Sequence, residues 1–230
     1  MSHILDRPVW SALTTAQAAL AEGGALARRF PPSIIPFAAA RDDSAESLAA
    51  LAALAPPGEE IVLMEATPLT LPLGFVATIA APAVQMVLAR APEPAVDARI
   101  GKLTEADAAE MLALATLTKP GPFTLKAMAL GDFFGIRIDG RLAAMAGERM
   151  KTEGYGEVSG VCAHPDFRGR GLARVLSVFV TRQILERGQT PFLHAWASNA
   201  TAIGLYQTIG FEVRTRMNAA MVRAEQTAVA

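Results

Sequence analysis

Apolar and polar positions fall into two rhythms along the chain. Ala108, Met111, Leu112 and Ala115 recur at i, i+3, i+4 and i+7, the spacing of one helical face. Leu172, Val175, Leu176 and Phe179 repeat it, with Arg174, Ser177 and Thr181 turned outward, and Ala202, Leu205, Tyr206 and Ile209 do so again. Between these helices lie runs suited to strands, at 133–138, 142–150, 157–164, 192–197 and 211–222. Asp139-Gly140 joins the first two as a tight antiparallel hairpin, because both residues accept positive φ. Thr104 with Asp107 forms a capping box, and Leu103 with Ala108 a hydrophobic staple. Asn199 caps the last helix and Gly210 ends it, while Gly188 ends the helix before.

The pattern before residue 96 differs. Of the 15 prolines, 11 lie there. Alanine-rich segments predict one helix over 16–27 and another over 44–55, capped by Ser44 and stopped by Pro56-Pro57-Gly58. Strands are expected at 60–66, 75–80 and 84–90, and a proline-punctuated linker at 91–94. The chain therefore reads as two α/β parts: a smaller domain, 1–95, and a larger one, 96–230, whose first strand spans 96–103. The smaller part is expected to serve as a packing or homodimerisation scaffold, ahead of a role in substrate recognition, or to be a degenerate copy of the larger.

Composition adjusts this picture in three places. Hydrophobic residues make up 52% and mean hydropathy is +0.30, which raises the question of a membrane. The longest apolar stretch, 74–89, is shorter than the roughly 20 residues a span requires and contains Thr78, Pro82 and Gln85. Asp6 and Arg7 stand where a secretory leader would have a basic start and an apolar run. No membrane and a cytoplasmic location are expected. Cys162, the single cysteine, excludes an intrachain disulfide and a cysteine-built zinc site. A net charge of -1 gives no nucleic-acid footprint, although Arg168, Arg170 and Arg174 crowd together.

Those arginines frame the stretch that carries the chemistry. Arg168-Gly169-Arg170-Gly171-Leu172-Ala173 bridges a strand-like run and a helix, and such a turn aims unsatisfied N–H groups at an anion. It lacks the Gly-Lys-Ser/Thr of a nucleoside triphosphate loop. Arg174 stands where a dinucleotide fingerprint needs its third glycine. The spacing that fits is R-x-x-G-x-A after Val161-Cys162-Ala163-His164-Pro165. Downstream, Asn199, Ala202, Leu205, Tyr206, Gly210 and Phe211 follow N-x-x-A-x-x-L-Y-x-x-x-G-F. From Val96 to Arg223 the sequence resembles the GNAT superfamily of acyl-CoA N-acyltransferases.

The resemblance implies a mixed, mostly antiparallel sheet flanked by helices, and direct transfer of an acyl group from acyl-CoA to a primary amine. Acetyl-CoA is the default donor, the acceptor is a small molecule, an amino acid or a protein, and no metal is required. Backbone N–H groups of Arg168, Gly169, Arg170, Gly171, Leu172 and Ala173 would hold the pyrophosphate, with Arg170 or Arg174 on a further phosphate. Val161, Cys162 and Ala163 would lie along the pantetheine arm, where their strand parts from its parallel neighbour. Ala163 replaces a larger aliphatic residue, which would admit a longer acyl group. The turn Thr118–Phe123 would either shape acceptor choice or serve as an ordinary rigid connection.

Tyr206 is the expected acid for the leaving thiolate, and Asn199 either touches the cofactor or only caps its helix. Glu157 is the first candidate for the base, by a parity shared with Ser159, Val161 and Ala163, and Glu148 and His194 are its rivals. Cys162, on the opposite side, reads as a small buried hydrophobe rather than a nucleophile. His164 reads as a surface residue. The alternative function is a non-catalytic acyl-CoA sensor, against which the retained Tyr206 argues.

Overall fold

The computed structural model describes residues 3–94 and 97–225. Helix α1 (Pro8–Thr14) opens the chain, with proline at its first position. It stops where the Thr14 and Thr15 hydroxyls turn back onto the Trp10 and Ser11 carbonyls, at 2.7 and 2.5 Å. The helix expected over 16–27 does not form. The Gln17 side chain is instead drawn away to bond Arg149 O and Lys151 N, at 2.9 and 3.0 Å, and Gly23 sits at φ +107°. Tertiary contact here overrides alanine's helical preference. Three short strands, β1 (Glu22–Gly23), β2 (Ala27–Arg29) and β3 (Ala38–Ala40), form a small antiparallel sheet. Helix α2 (Ala45–Ala53) follows, with the Ser44 hydroxyl accepting from Ser47 N–H.

The main sheet draws on both halves of the chain. In chain order its strands are β4 (Ile61–Glu65), β5 (Phe75–Leu88), β6 (Ile100–Lys102), β7 (Phe133–Ile138), β8 (Arg141–Thr152), β9 (Tyr155–Ala163), β10 (Thr190–Trp196) and β11 (Phe211–Ala224). In space the order is β4-β11-β5-β10-β9-β8-β7-β6. β9 and β10 pair in parallel and all the other neighbours are antiparallel, as the expected mixed architecture requires. The boundary at 95/96 lies outside the described residues, but the sheet is not divided there, since β5 pairs with both β10 and β11.

β5 is one strand where two were expected. Pro82 is tolerated because its carbonyl, which accepts from Ala197 N–H, faces the side where β10 has already ended, so its missing N–H breaks no ladder bond. The hairpin at Asp139-Gly140 forms as expected, with φ of 50° and 78°.

Helices α3 (Ala108–Thr118), α4 (Leu172–Glu186) and α5 (Ala200–Ile209) complete the chain. The capping box at Thr104 and Asp107 forms before α3, and Lys119 ends that helix at φ 51°. α4 covers one face of the sheet, burying Leu176, Val180 and Ile184 against Val158 and Leu193. The other face carries the amino-terminal segment, whose Leu5, Leu13, Phe30 and Phe37 pack with Met150 and Phe192. α3 lies over Met145 and Cys162.

Candidate active site

The sheet opens at one place. The parallel ladder ends at Glu157 opposite Phe192. Beyond it, β9 continues on β8 alone and β10 on β5 alone, leaving a wedge. His164 N–H bonds Ala143 O at 2.8 Å, toward β8, and extended backbone alternates, so the main-chain groups of Val161 and Ala163 face the wedge. Their side chains pack toward α4, whereas Cys162 is buried beside α3. Burial pushes the Cys162 thiol up to about 11, in keeping with a structural residue.

The arginine-glycine loop follows this strand directly. Gly169 and Gly171 hold φ of 75° and 73°, in the left-handed region, and an added Cβ at either would meet open space. Among the described residues, no backbone carbonyl or capping side chain accepts from the N–H groups between Gly169 and Arg174. They form an outward-facing cradle at the positive end of a 15-residue helix, a fit for pyrophosphate. Arg168, Arg170 and Arg174 are exposed around it, and Arg170 stacks on Phe167 with its guanidinium carbon 5.3 Å from the ring centre.

α5 brings Tyr206 into the core beside Phe211. Burial, with a smaller contribution from Cys162, pushes the phenol up to about 12, and no hydrogen bond supports its ionised form. Asn199 Oδ1 accepts from Ala202 N–H at 3.0 Å and caps the helix.

The expected base stands elsewhere than its strand parity implied. Gly160, at φ 63°, is a bulge residue in β9, and it shifts the alternation by one. Glu157 and Ser159 therefore share a face with Cys162 rather than with Val161 and Ala163. Glu157 is fully buried and both its oxygens are occupied. Oε1 accepts from Arg149 Nη2 at 2.6 Å and from His194 Nδ1 at 2.7 Å. Oε2 accepts from Arg149 Nε at 2.9 Å and from Met150 N–H at 3.1 Å. Burial pushes this carboxyl up, but the Arg149 charge and the hydrogen bonds outweigh it and bring the carboxyl down to about 2.

The rivals are engaged as well. The His194 side chain is buried, with Nε2 2.9 Å from Gln85 Nε2. Burial holds it below its ordinary value. Glu148 faces Val158 across the ladder and is taken by Arg187 at 2.7 Å and Lys151 at 3.1 Å. His164 is half-buried beside Arg141 and Asp166.

A cleft opens on the face opposite α4, walled in part by Pro120, Gly121, Pro122 and Phe123 of the turn expected either to shape acceptor choice or to serve as a rigid connection. Ile35, Phe133, Glu148, Arg149, Ser159 and Gly160 also line it, so it reaches β9 immediately past the fork. The glycine inside a strand pattern was the signal that could have marked it. Nothing local in the sequence pointed to Ile35. Among the described residues, no cluster of three or more His, Cys, Asp and Glu side chains is disposed to hold a metal. Nor is any described helix long and apolar enough to cross a membrane.

The wedge, the cradle and the tyrosine can be set beside known proteins. A family model described as FR47-like protein matches residues 133–220. A crystal structure from Novosphingobium aromaticivorans DSM 12444, of a protein assigned by its description to the GNAT family, is 43% identical. It matches 97% of this chain and 99% of its own, with a TM-score of 0.91. The chain belongs to the GNAT family. A GCN5-related N-acetyltransferase from Kribbella flavida shares the GNAT fold at 16% identity, over 98% of this chain and 96% of its own, with a TM-score of 0.64. The [ribosomal protein bS18]-alanine N-acetyltransferase of Salmonella typhimurium (strain LT2) is 36% identical over 78 residues, or 34% of this chain. The chain spans about half the length of that curated relative, 52%.

Proposed function

We propose that this protein moves an acyl group, acetyl in the first instance, from acyl-CoA directly to a primary amine. The observation that carries this reading is the continuity of wedge and cradle. The strand that offers the unpaired main-chain groups of Val161 and Ala163 runs within a few residues into the N–H groups of Gly169 to Arg174. The cradle would take the pyrophosphate, and the wedge would take the pantetheine arm as a substitute strand.

The amine enters from the cleft and attacks the thioester carbonyl. A carbon–nitrogen bond forms and the carbon–sulfur bond breaks, with a main-chain N–H at the wedge stabilising the oxyanion. Tyr206, neutral throughout the physiological range, gives its proton to the departing sulfur and is reprotonated from solvent. Glu157, Glu148 and His194 are all engaged, so the amine loses its proton to water in the cleft. Ser159 stands at the cleft floor, where it can orient the attacking nitrogen.

Thermal unfolding with and without acetyl-CoA tests the first half of the reading, because a ligand of the native state raises the midpoint by mass action. Free-thiol release against small amines, amino acids and a peptide beginning with alanine tests the second. The peptide is included because the curated relative acts on an alanine of a ribosomal protein. A midpoint shift without thiol release would favour a sensing module, and no shift would overturn the acyl-CoA reading.

A further inference from the structure

An unbroken row of polar side chains crosses five adjacent strands on the amino-terminal face of the sheet. Arg149 of β8 bonds Glu157 of β9, which bonds His194 of β10. His194 Nε2 meets Gln85 of β5 at 2.9 Å, and Gln85 Oε1 accepts from Arg214 Nε of β11 at 2.5 Å. Arg214 Nη2 ends the row on Asp6 Oδ1 at 2.7 Å. The flanking side chains are apolar, among them Leu5, Phe37, Met150 and Phe192. An apolar row of the same volume would serve stability as well or better, so stability alone does not account for it.

The geometry of the row is specific. Its two arginines each stand at an irregularity in their strand. In β8 the register slips between Glu148 and Lys151, setting Arg149 and Met150 against Glu157. In β11 it slips between Val213 and Thr215, leaving Arg214 as the extra residue. Such bulges re-aim side chains.

A single set of protons satisfies the centre. His194 donates from Nδ1 to Glu157 and accepts at Nε2 from one Gln85 N–H, while the other Gln85 N–H goes to Leu5 O at 2.9 Å. The row also touches the fork where it opens. Glu157 is the last residue of β9 paired with β10, and His194, two residues past Phe192, reaches back to it where the ladder has ceased.

We infer that Glu157 and His194 are positioning residues that clamp the fork between β9 and β10, and that the row behind them fastens residues 3–17 to that fork. The clamp sets how far the strands part, and therefore where the main-chain groups of Val161 and Ala163 stand. Asp6 and Leu5 hold one end of the row, and Gln17, bonded to the backbone on either side of Met150, holds the other. As a statement about the acyl-CoA site this rests on the proposed function. As a statement about the fork it does not.

Hydrogen exchange of the full-length free protein tests the clamp without any cofactor. His194→Phe should speed exchange at 158–163 and 193–197 about tenfold or more, with α4 unchanged. His194→Asn, which keeps an N–H where Nδ1 stood, should recover most of the protection. In acetyl-CoA titrations and turnover assays, the His194→Phe loss should fall in affinity and KM rather than in kcat, by about tenfold.

Should His194→Phe fail to fold, Asp6→Ala removes the half-buried far end of the row, together with the Asp6 cap on His3 N–H. It should still raise exchange at the fork, by roughly threefold. Wild-type exchange at the fork in whichever of these variants folds would overturn the clamp. Failure of the wild-type protein to bind acetyl-CoA would instead overturn the functional reading, leaving the exchange data to judge the clamp alone.

Discussion

A Cβ added to Gly160 would stand 2.8 Å from Cε1 of Phe133, and Gly160 holds φ at 63°, where side chains are strained. Shape and backbone thus demand glycine together at the residue that turns β9 toward the cleft. Gly160→Ala is expected to destabilise the protein by about 1–3 kcal/mol, seen as a lower urea midpoint at unchanged slope. It should also raise KM for the amine more than KM for acyl-CoA. An unaltered midpoint would show that the bulge relaxes at no cost.

In the arginine-glycine loop the penalty has a different origin. A Cβ on Gly171 would meet nothing, so Gly171→Ala strains the backbone by roughly 1–2 kcal/mol without a clash. Swinging the N–H groups off their common target should weaken acetyl-CoA binding by about tenfold or more, read by titration calorimetry. Arg170→Glu should weaken it too, and more so at low salt, because it sets like charges together.

Tyr206→Phe should bind acetyl-CoA like the parent while turnover falls about a hundredfold, the scale of a lost general acid. It carries a second signature at high pH. The unfolded phenol ionises near 10, whereas burial holds the folded one up to about 12. The neutral form thus lends stability that is complete below pH 10 and disappears as pH rises toward 12. Alkaline unfolding curves should show this loss in the parent and not in Tyr206→Phe.

How much of this site could be read beforehand depended on the range of the interaction that fixes each part. Asp139-Gly140, the Thr104 and Asp107 box, Asn199 and the Arg168–Ala173 loop are set by neighbours within a few residues, and all stand as their local chemistry requires. Gln17 answers to partners at Arg149 and Lys151, so an alanine-rich pattern misled there. Glu157 was misplaced by one bulge. Ser159-Gly160 inside a strand hinted at it, but Arg149 as a partner could not be inferred without the register of β8. The position of β5 between β10 and β11 left no local trace at all.

Acid should unfold the protein in two stages. His194 is held below its ordinary 6.5 by burial first, with Arg149 and Arg214 adding to that effect and Glu157 opposing it. The unfolded chain therefore takes up this proton first, and stability declines as pH falls below about 6.5. Glu157 is brought down from 4.5 to about 2, so its contribution is present above 4.5 and disappears as pH falls toward 2. Urea midpoints at about pH 7.5, 5.5 and 4 should fall in that order, and Glu157→Gln should remove the lower stage. Equal midpoints at all three would refute the assignment.

Leu88 and Thr190 are separated by about a hundred residues, yet β5 finds its neighbours only in β10 and β11. As the chain leaves the ribosome, β5 must wait until Thr190 to Ala224 have been made. From Ala66 to Ala89 the waiting segment contains no charged residue. An unpaired apolar strand of this kind readily pairs with other chains. A message cut short before β10 would thus yield an adhesive fragment that burdens the chaperones of its host, rather than a smaller folded protein.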